Sequence, residues 1–267
     1  MNILLFLLPA FTACVLLTGI HTYLGIHVVK RGIVFVDIAL AQIAALGMTV
    51  ALWVGFDHES LWVYFFGLGF TAVASLLFSL LSDVKIPQEA LIGVSFAVSS
   101  AWAILVADHI PHGAEHLKEI FSGNLLWVTW PQIIKTFFIY TGLGIFHFLF
   151  RKKFLLITHD PAQAKSMGLK LWCWDLLFYL SFGIIITSSV QIAGVLLVFS
   201  FLIVPTLCSL LFFEGLRARL LFGWGIGVFV SLCGILFSLW QDTPTGPTIV
   251  AGFGLFLGLC LILKFKK

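Results

Sequence analysis

The chain has 267 residues, of which 61% are hydrophobic and only 10% charged, and its mean hydropathy is +1.11. A soluble core cannot absorb that much apolar surface, so the composition excludes a soluble protein and indicates an integral membrane protein. The net charge of +3 is too small to imply nucleic acid as a partner.

About 20 apolar residues cross a bilayer. On that measure nine spans are predicted, at 2–24, 33–55, 61–81, 90–107, 132–150, 172–188, 192–212, 220–240 and 247–263. The run 172–188 is short, so eight spans is the alternative. The expected fold is all-α, a polytopic membrane protein forming a single transmembrane domain over 1–267. The N-terminus has no basic n-region and opens a long apolar run, which reads as a first span and not as a cleaved signal. The five cysteines all lie in apolar runs without CxxC spacing and read as small buried hydrophobes. Glycines are frequent within spans, and Gly254 and Gly258 have the GxxxG spacing of helix packing. With the N-terminus outside, 13 of the 15 Lys and Arg residues fall in cytoplasmic loops, among them Lys30, Arg31, Lys85, Arg151, Lys152, Lys153, Lys266 and Lys267. Only Lys118 and Lys135 remain, and Lys135 can snorkel to the outer boundary.

The outer loops hold four of the eight histidines. One is the short turn Asp57-His58-Glu59. The largest is 108–119, in which His109, His112 and His116 have i, i+3, i+7 spacing, interrupted by Pro111. Imidazoles with Asp108, Glu115 and Glu119 nearby suit a borderline divalent ion such as zinc, while a solvated polar loop is the bland alternative. Charges within spans are costly and are functional candidates by default. Asp37 is the clearest, with Gln42 five residues on and about 140° round the helix. Its competing reading is an interfacial pair with Lys30 or Arg31. Asp175 reads as interfacial.

The stretch Arg151–Phe213 organises the rest. A basic patch, Arg151-Lys152-Lys153, leads into a polar segment. There Asp160 suits an N-cap, Pro161 a first helical position and Gly168 a C-cap, predicting a short surface helix over Asp160–Gly168. Two apolar runs follow, separated by Ser188-Ser189-Val190-Gln191, the second carrying Pro205. Gln191 and Pro205 are candidates for a pathway. No phosphate-binding loop is present, so energy for active transport would come from a partner or from an ion gradient.

Several segments in order resemble the metal-ion ABC importer permeases, the zinc/manganese/iron uptake family. They are Lys30-Arg31-Gly32 with Asp37 and Ala39 through Gly47; Glu89-Ala90-Leu91-Ile92-Gly93; Phe121 through Val128; His159-Asp160-Pro161 through Gly168; Gly194 through Pro205; and Thr245-Gly246-Pro247-Thr248. The resemblance implies a permease that dimerises in a prokaryotic cytoplasmic membrane and sits on ATPase subunits. An extracytoplasmic protein would deliver the metal, and no cofactor would be permanently bound. It also implies that Asp160, Pro161, Ala164, Lys165 and Gly168 contact the ATPase, with Ala164 facing it. One departure stands out. The family carries Asp-x-x-x-His in its second span, and here Gln42 or Ala41 takes the histidine position, leaving only a harder carbonyl oxygen. Zinc is expected first, manganese or iron next. The alternatives are a permease for a siderophore- or cobalamin-type chelate, a membrane-embedded zinc metalloenzyme built on His109, His112 and His116, and a gradient-driven transporter.

Overall fold

The computed structural model describes residues 3–57, 60–81 and 86–265. His58 and Glu59 of the first outer turn, and Lys85, Lys266 and Lys267 of the charge count, lie outside the described residues. The described chain is helical, without strands: α1 (Ile3–Arg31), α2 (Val36–Val54), α3 (Leu61–Leu80), α4 (Gln88–Ala107), α5 (Gly113–Ser122), α6 (Trp130–Leu149), α7 (Arg151–His159), α8 (Pro161–Ser166), α9 (Leu171–Phe212), α10 (Leu216–Gln241) and α11 (Thr245–Phe265), with a 3-10 turn at Leu125–Trp127.

Among the described residues eight helices are long and apolar enough to cross a membrane. One of them, α9, has 42 residues. At 1.5 Å per residue it would extend about 63 Å, twice a hydrocarbon core. It does not, because Gly194 takes φ 75 and ψ 163 and turns the chain back. Ser189 lies beside His21 of α1, while Thr206 lies beside the neighbouring Thr22. An unbroken helix would hold those two residues about 25 Å apart. The first leg (171–193) therefore rises and the second leg (195–212) descends, which makes nine apolar legs among the described residues. The break falls at Gly194 and not at Ser188–Gln191. Those residues stay helical, and Ser188 and Ser189 return their hydroxyl protons to the carbonyls of Ile184 and Ile185, which removes their cost in an apolar span.

The first leg runs antiparallel to α1 and α3, through Arg31–Asp175 and through Ser79 on the Trp172 carbonyl and Ser75 on the Tyr179 carbonyl. The second leg runs alongside α11, with the Phe201 and Phe253 rings 5.3 Å apart. Small residues set the closest approaches. A Cβ on Gly47 would lie 2.7 Å from the Phe66 carbonyl, and one on Gly25 2.2 Å from the Leu202 carbonyl. Gly254 and Gly258, expected as packing positions, instead have nothing within 4 Å of an added Cβ and face outward.

The 108–119 loop of the sequence reading is largely helical, because α5 ends in two tight contacts. A Cβ on Gly113 would meet the Ala107 carbonyl, and Gly123, at φ 68, lies directly on Ala193 and Gly194. The tip of the α9 hairpin is thus clamped beneath α5.

Candidate transport site and cytoplasmic helix pair

Asp37 is the second residue of α2 and is fully buried, with neither carboxylate oxygen hydrogen-bonded among the described residues. It does not pair with the cations beside it in sequence, as the interfacial reading required. Arg31 donates from Nη1 to Asp175 Oδ1 at 2.7 Å, and Lys30 Nζ lies 3.1 Å from the His159 ring. Gln42 is also buried, and its Oε1 has no partner among the described residues. The turn that delivers Asp37 is fixed locally. Gly32 takes φ 69, and the Ile33 N–H donates to the Val28 carbonyl. Glu89 of α4 accepts the Phe35 N–H at 3.2 Å, closing the start of α2.

Towards the outer face a cavity of about 510 Å³ opens between α2, α3, α5, α6 and α9. Glu119, Asn124, Gln132, Lys135, Gln191 and Tyr64 supply its polar wall. Gln191 is therefore placed on a cavity. Lys135 lies on the cavity rim near the outer start of α6. Its ammonium sits 3.8 Å from the centroid of the Tyr64 ring, where the ring's negative face compensates for lost water. Pro205 is elsewhere, packed beside Thr22 of α1 and Gly223 of α10, so the pathway role expected for it is not supported: a proline marks a helix but not the face it presents.

Next to the cavity runs a series of buried polar contacts that sequence reasoning missed. Tyr64 Oη meets Ser188 Oγ at 2.9 Å, Tyr140 Oη meets Ser189 Oγ at 2.5 Å, and His21 Nε2 lies 3.2 Å from the same oxygen. Nearer the cytoplasm His147 Nε2 meets Ser181 Oγ at 2.8 Å, with the ring stacked on Phe154. The only signal for these histidines was their occurrence inside apolar runs.

The outer histidines are not gathered. His109, just past α4, turns its Nδ1 to the Leu105 carbonyl. His112 holds a left-handed conformation ahead of α5 and lies 3.3 Å from Glu115, and His116 is on α5 itself. Pro111 sits in the turn between the helices, so the i, i+3, i+7 spacing never becomes one face. Among the described residues no group of three or more His, Cys, Asp or Glu side chains could hold a metal.

On the cytoplasmic side the structure shows two helices where one was expected. In α7, Phe154, Ile157 and Thr158 turn inward. In α8, Asp160 accepts the Gln163 N–H at 2.8 Å, and Pro161 follows at the first turn. Gly168, at φ 79, closes it: Leu169 N–H returns to the Ala164 carbonyl and Gly168 N–H to the Lys165 carbonyl, a Schellman end. Pro161, Lys165 and Met167 are exposed, but Ala164 is fully buried within its own chain. Ala164 is therefore covered by its own chain, and the outward position expected for it is not seen. His159, the last residue of α7, has its pKa lowered by partial burial and then by the Lys30 and Arg219 cations.

Among the described residues, apolar helices long enough to cross a membrane thus frame a polar outer cavity and a buried carboxylate. The chain is 25% identical to the manganese transport system membrane protein MntC of Halalkalibacterium halodurans, over 98% of this chain and 88% of that protein. It is 28% identical to the chelated iron transport system membrane protein YfeD of Yersinia pestis, over 98% of this chain and 86% of that one. Its fold matches a chain of PsaBC from Streptococcus pneumoniae, solved in complex with a Fab, at a TM-score of 0.80 and 19% identity, covering 96% of this chain and 90% of that one. Residues 4–264 match the ABC 3 transport family, and the chain belongs to it.

Proposed function

We propose that this chain is the permease subunit of an ABC importer for a divalent transition metal, working as a pair of permease copies in a prokaryotic cytoplasmic membrane. Manganese and iron come first because relatives are named for them, and zinc stays within the same chemistry. A cytoplasmic ATPase docks on the exposed side of α8, and an extracytoplasmic binding protein delivers metal at the outer cavity. The observation that carries this reading is Asp37, a buried carboxylate whose neighbouring cations are both engaged elsewhere. An ionised carboxylate in a bilayer is costly unless a cation meets it, and a transient metal ion is such a cation. Gln42 adds an oxygen ligand suited to a harder ion than the histidine of the family pattern would select. Asp37→Asn should reduce uptake of radiolabelled manganese or iron by about tenfold or more while the protein still inserts and binds its ATPase. Unchanged uptake by that variant would remove Asp37 from the pathway.

The wide outer cavity with Lys135 in its wall favours a second reading, in which the metal arrives within an anionic chelate. Lys135→Gln should then weaken uptake of metal presented as its citrate complex more than uptake of the free ion. An equal effect on both forms excludes the chelate.

A further inference from the structure

Arg31, the last residue of α1, binds two other elements at once. Its Nη1 donates to Asp175 on the first leg of α9 at 2.7 Å, and its Nε donates to Thr158 Oγ1 on α7 at 3.1 Å. Its guanidinium carbon lies 4.3 Å from the centroid of the Phe178 ring. The Thr158 hydroxyl is held from its other side by His27 Nδ1 at 2.8 Å, which adds a second bond between α1 and α7. The ion pair is largely enclosed, with side-chain exposures of 10% and 13%. A planar fork in such a site fixes direction as well as distance, which a lysine cannot do.

The position of this node in the chain gives it its meaning. Thr158 is separated from the α8 cap Asp160 by one residue. Arg31 is separated from Asp37 by the tight turn at Gly32, whose backbone is pinned at Ile33 and Val36. A movement of α8 therefore has a short, hydrogen-bonded route to the start of α2.

We propose that Arg31 is the positioning residue that passes displacement of the α7–α8 pair to the α1–α2 turn carrying Asp37, through Thr158 on one side and Asp175 on the other. This rests on the ATP-driven importer reading above. Arg31 holds no metal in this scheme; it keeps the cytoplasmic helix pair and two membrane helices moving as one body.

The test uses the permease assembled with its ATPase in lipid vesicles, with ATP hydrolysis and radiolabelled manganese uptake measured in parallel. Thr158→Val keeps the volume of the side chain and leaves Arg31–Asp175 and the Lys30–His159 contact in place, removing the two bonds that Arg31 Nε and His27 Nδ1 make to α7. It should leave ATPase binding and hydrolysis within about twofold while metal imported per ATP falls by about fivefold or more. Arg31→Lys should show the same split. A purely structural ion pair predicts no change for Thr158→Val, so unchanged uptake per ATP in that variant overturns the proposal. Failure of Thr158→Val to assemble also overturns it, by making Thr158 a folding residue. A wild-type complex that hydrolyses ATP but imports neither manganese, iron nor zinc overturns the importer reading, and the node with it.

Discussion

A glycine at φ 75 is a backbone choice that L side chains rarely share, and at Gly194 the space is closed as well. An added Cβ there would lie 2.2 Å from the Gly123 nitrogen. Gly194→Ala should therefore cost about 1–3 kcal/mol in backbone strain alone, with the clash on top. Its yield and melting temperature in detergent should drop sharply, while Gly254→Ala, with open space around it, should melt within a few degrees of wild type. Equal behaviour of the two variants would show that the hairpin tip carries no strain. At this scale the sequence was partly readable. Asp37 stood out because a carboxylate in an apolar run has few innocent explanations. His21, His27 and His147 did not, because a lone histidine in a span has no pattern, and its serine or threonine partner comes from a distant helix.

The cytoplasmic helix pair shows the same limit for elements. The caps of α8 follow from local chemistry, so Asp160, Pro161 and Gly168 were legible without any tertiary contact. The helix α7 was not, because Phe154-Leu155-Leu156-Ile157 is a short apolar run with no side-chain cap to announce a helix. The side of α8 that turns inward is likewise set by α7 and cannot be read from α8 itself. Substitutions on the two sides should separate. Ala164→Glu places a charge where the side chain is fully buried and should lower the yield of folded permease. Met167, 66% exposed, is the apolar residue on the outward side. Met167→Asp should leave the permease folded and weaken copurification of the ATPase by about tenfold. Full retention of the ATPase by Met167→Asp would show that α8 docks elsewhere.

For the molecule as a whole, the basic residues and the hairpin of α9 lead to one topology: N-terminus out, α5 and Gly194 outside, α7 and α8 inside, C-terminus in. Cysteines placed at Glu115 on α5 and at Ala162 on α8 test it, in a background with Cys173 and Cys233 replaced by serine. An impermeant maleimide added to intact cells should label the first and leave the second until the membrane is opened. The reverse pattern would invert every assignment of delivery and docking made above. The all-α class and the apolar spans were open to sequence reasoning because apolar length is summed over many residues. The outer metal cluster was not a safe reading, because spacing along a chain becomes a helix face only when no proline intervenes.

The one-glycine tip between the legs of α9 also bears on how the protein is made. Most paired spans oblige the insertion machinery to carry a polar loop across the bilayer. Here the two legs leave the ribosome as a nearly continuous apolar block, and the turn itself offers almost nothing hydrophilic to translocate. The pair can partition sideways into lipid as a preformed hairpin, with Asp175 at its cytoplasmic base waiting for Arg31, already in place on α1, to anchor it. An epitope tag inserted at Gly194 would take that route away, whereas one at the outer turn beside Asp242 would not.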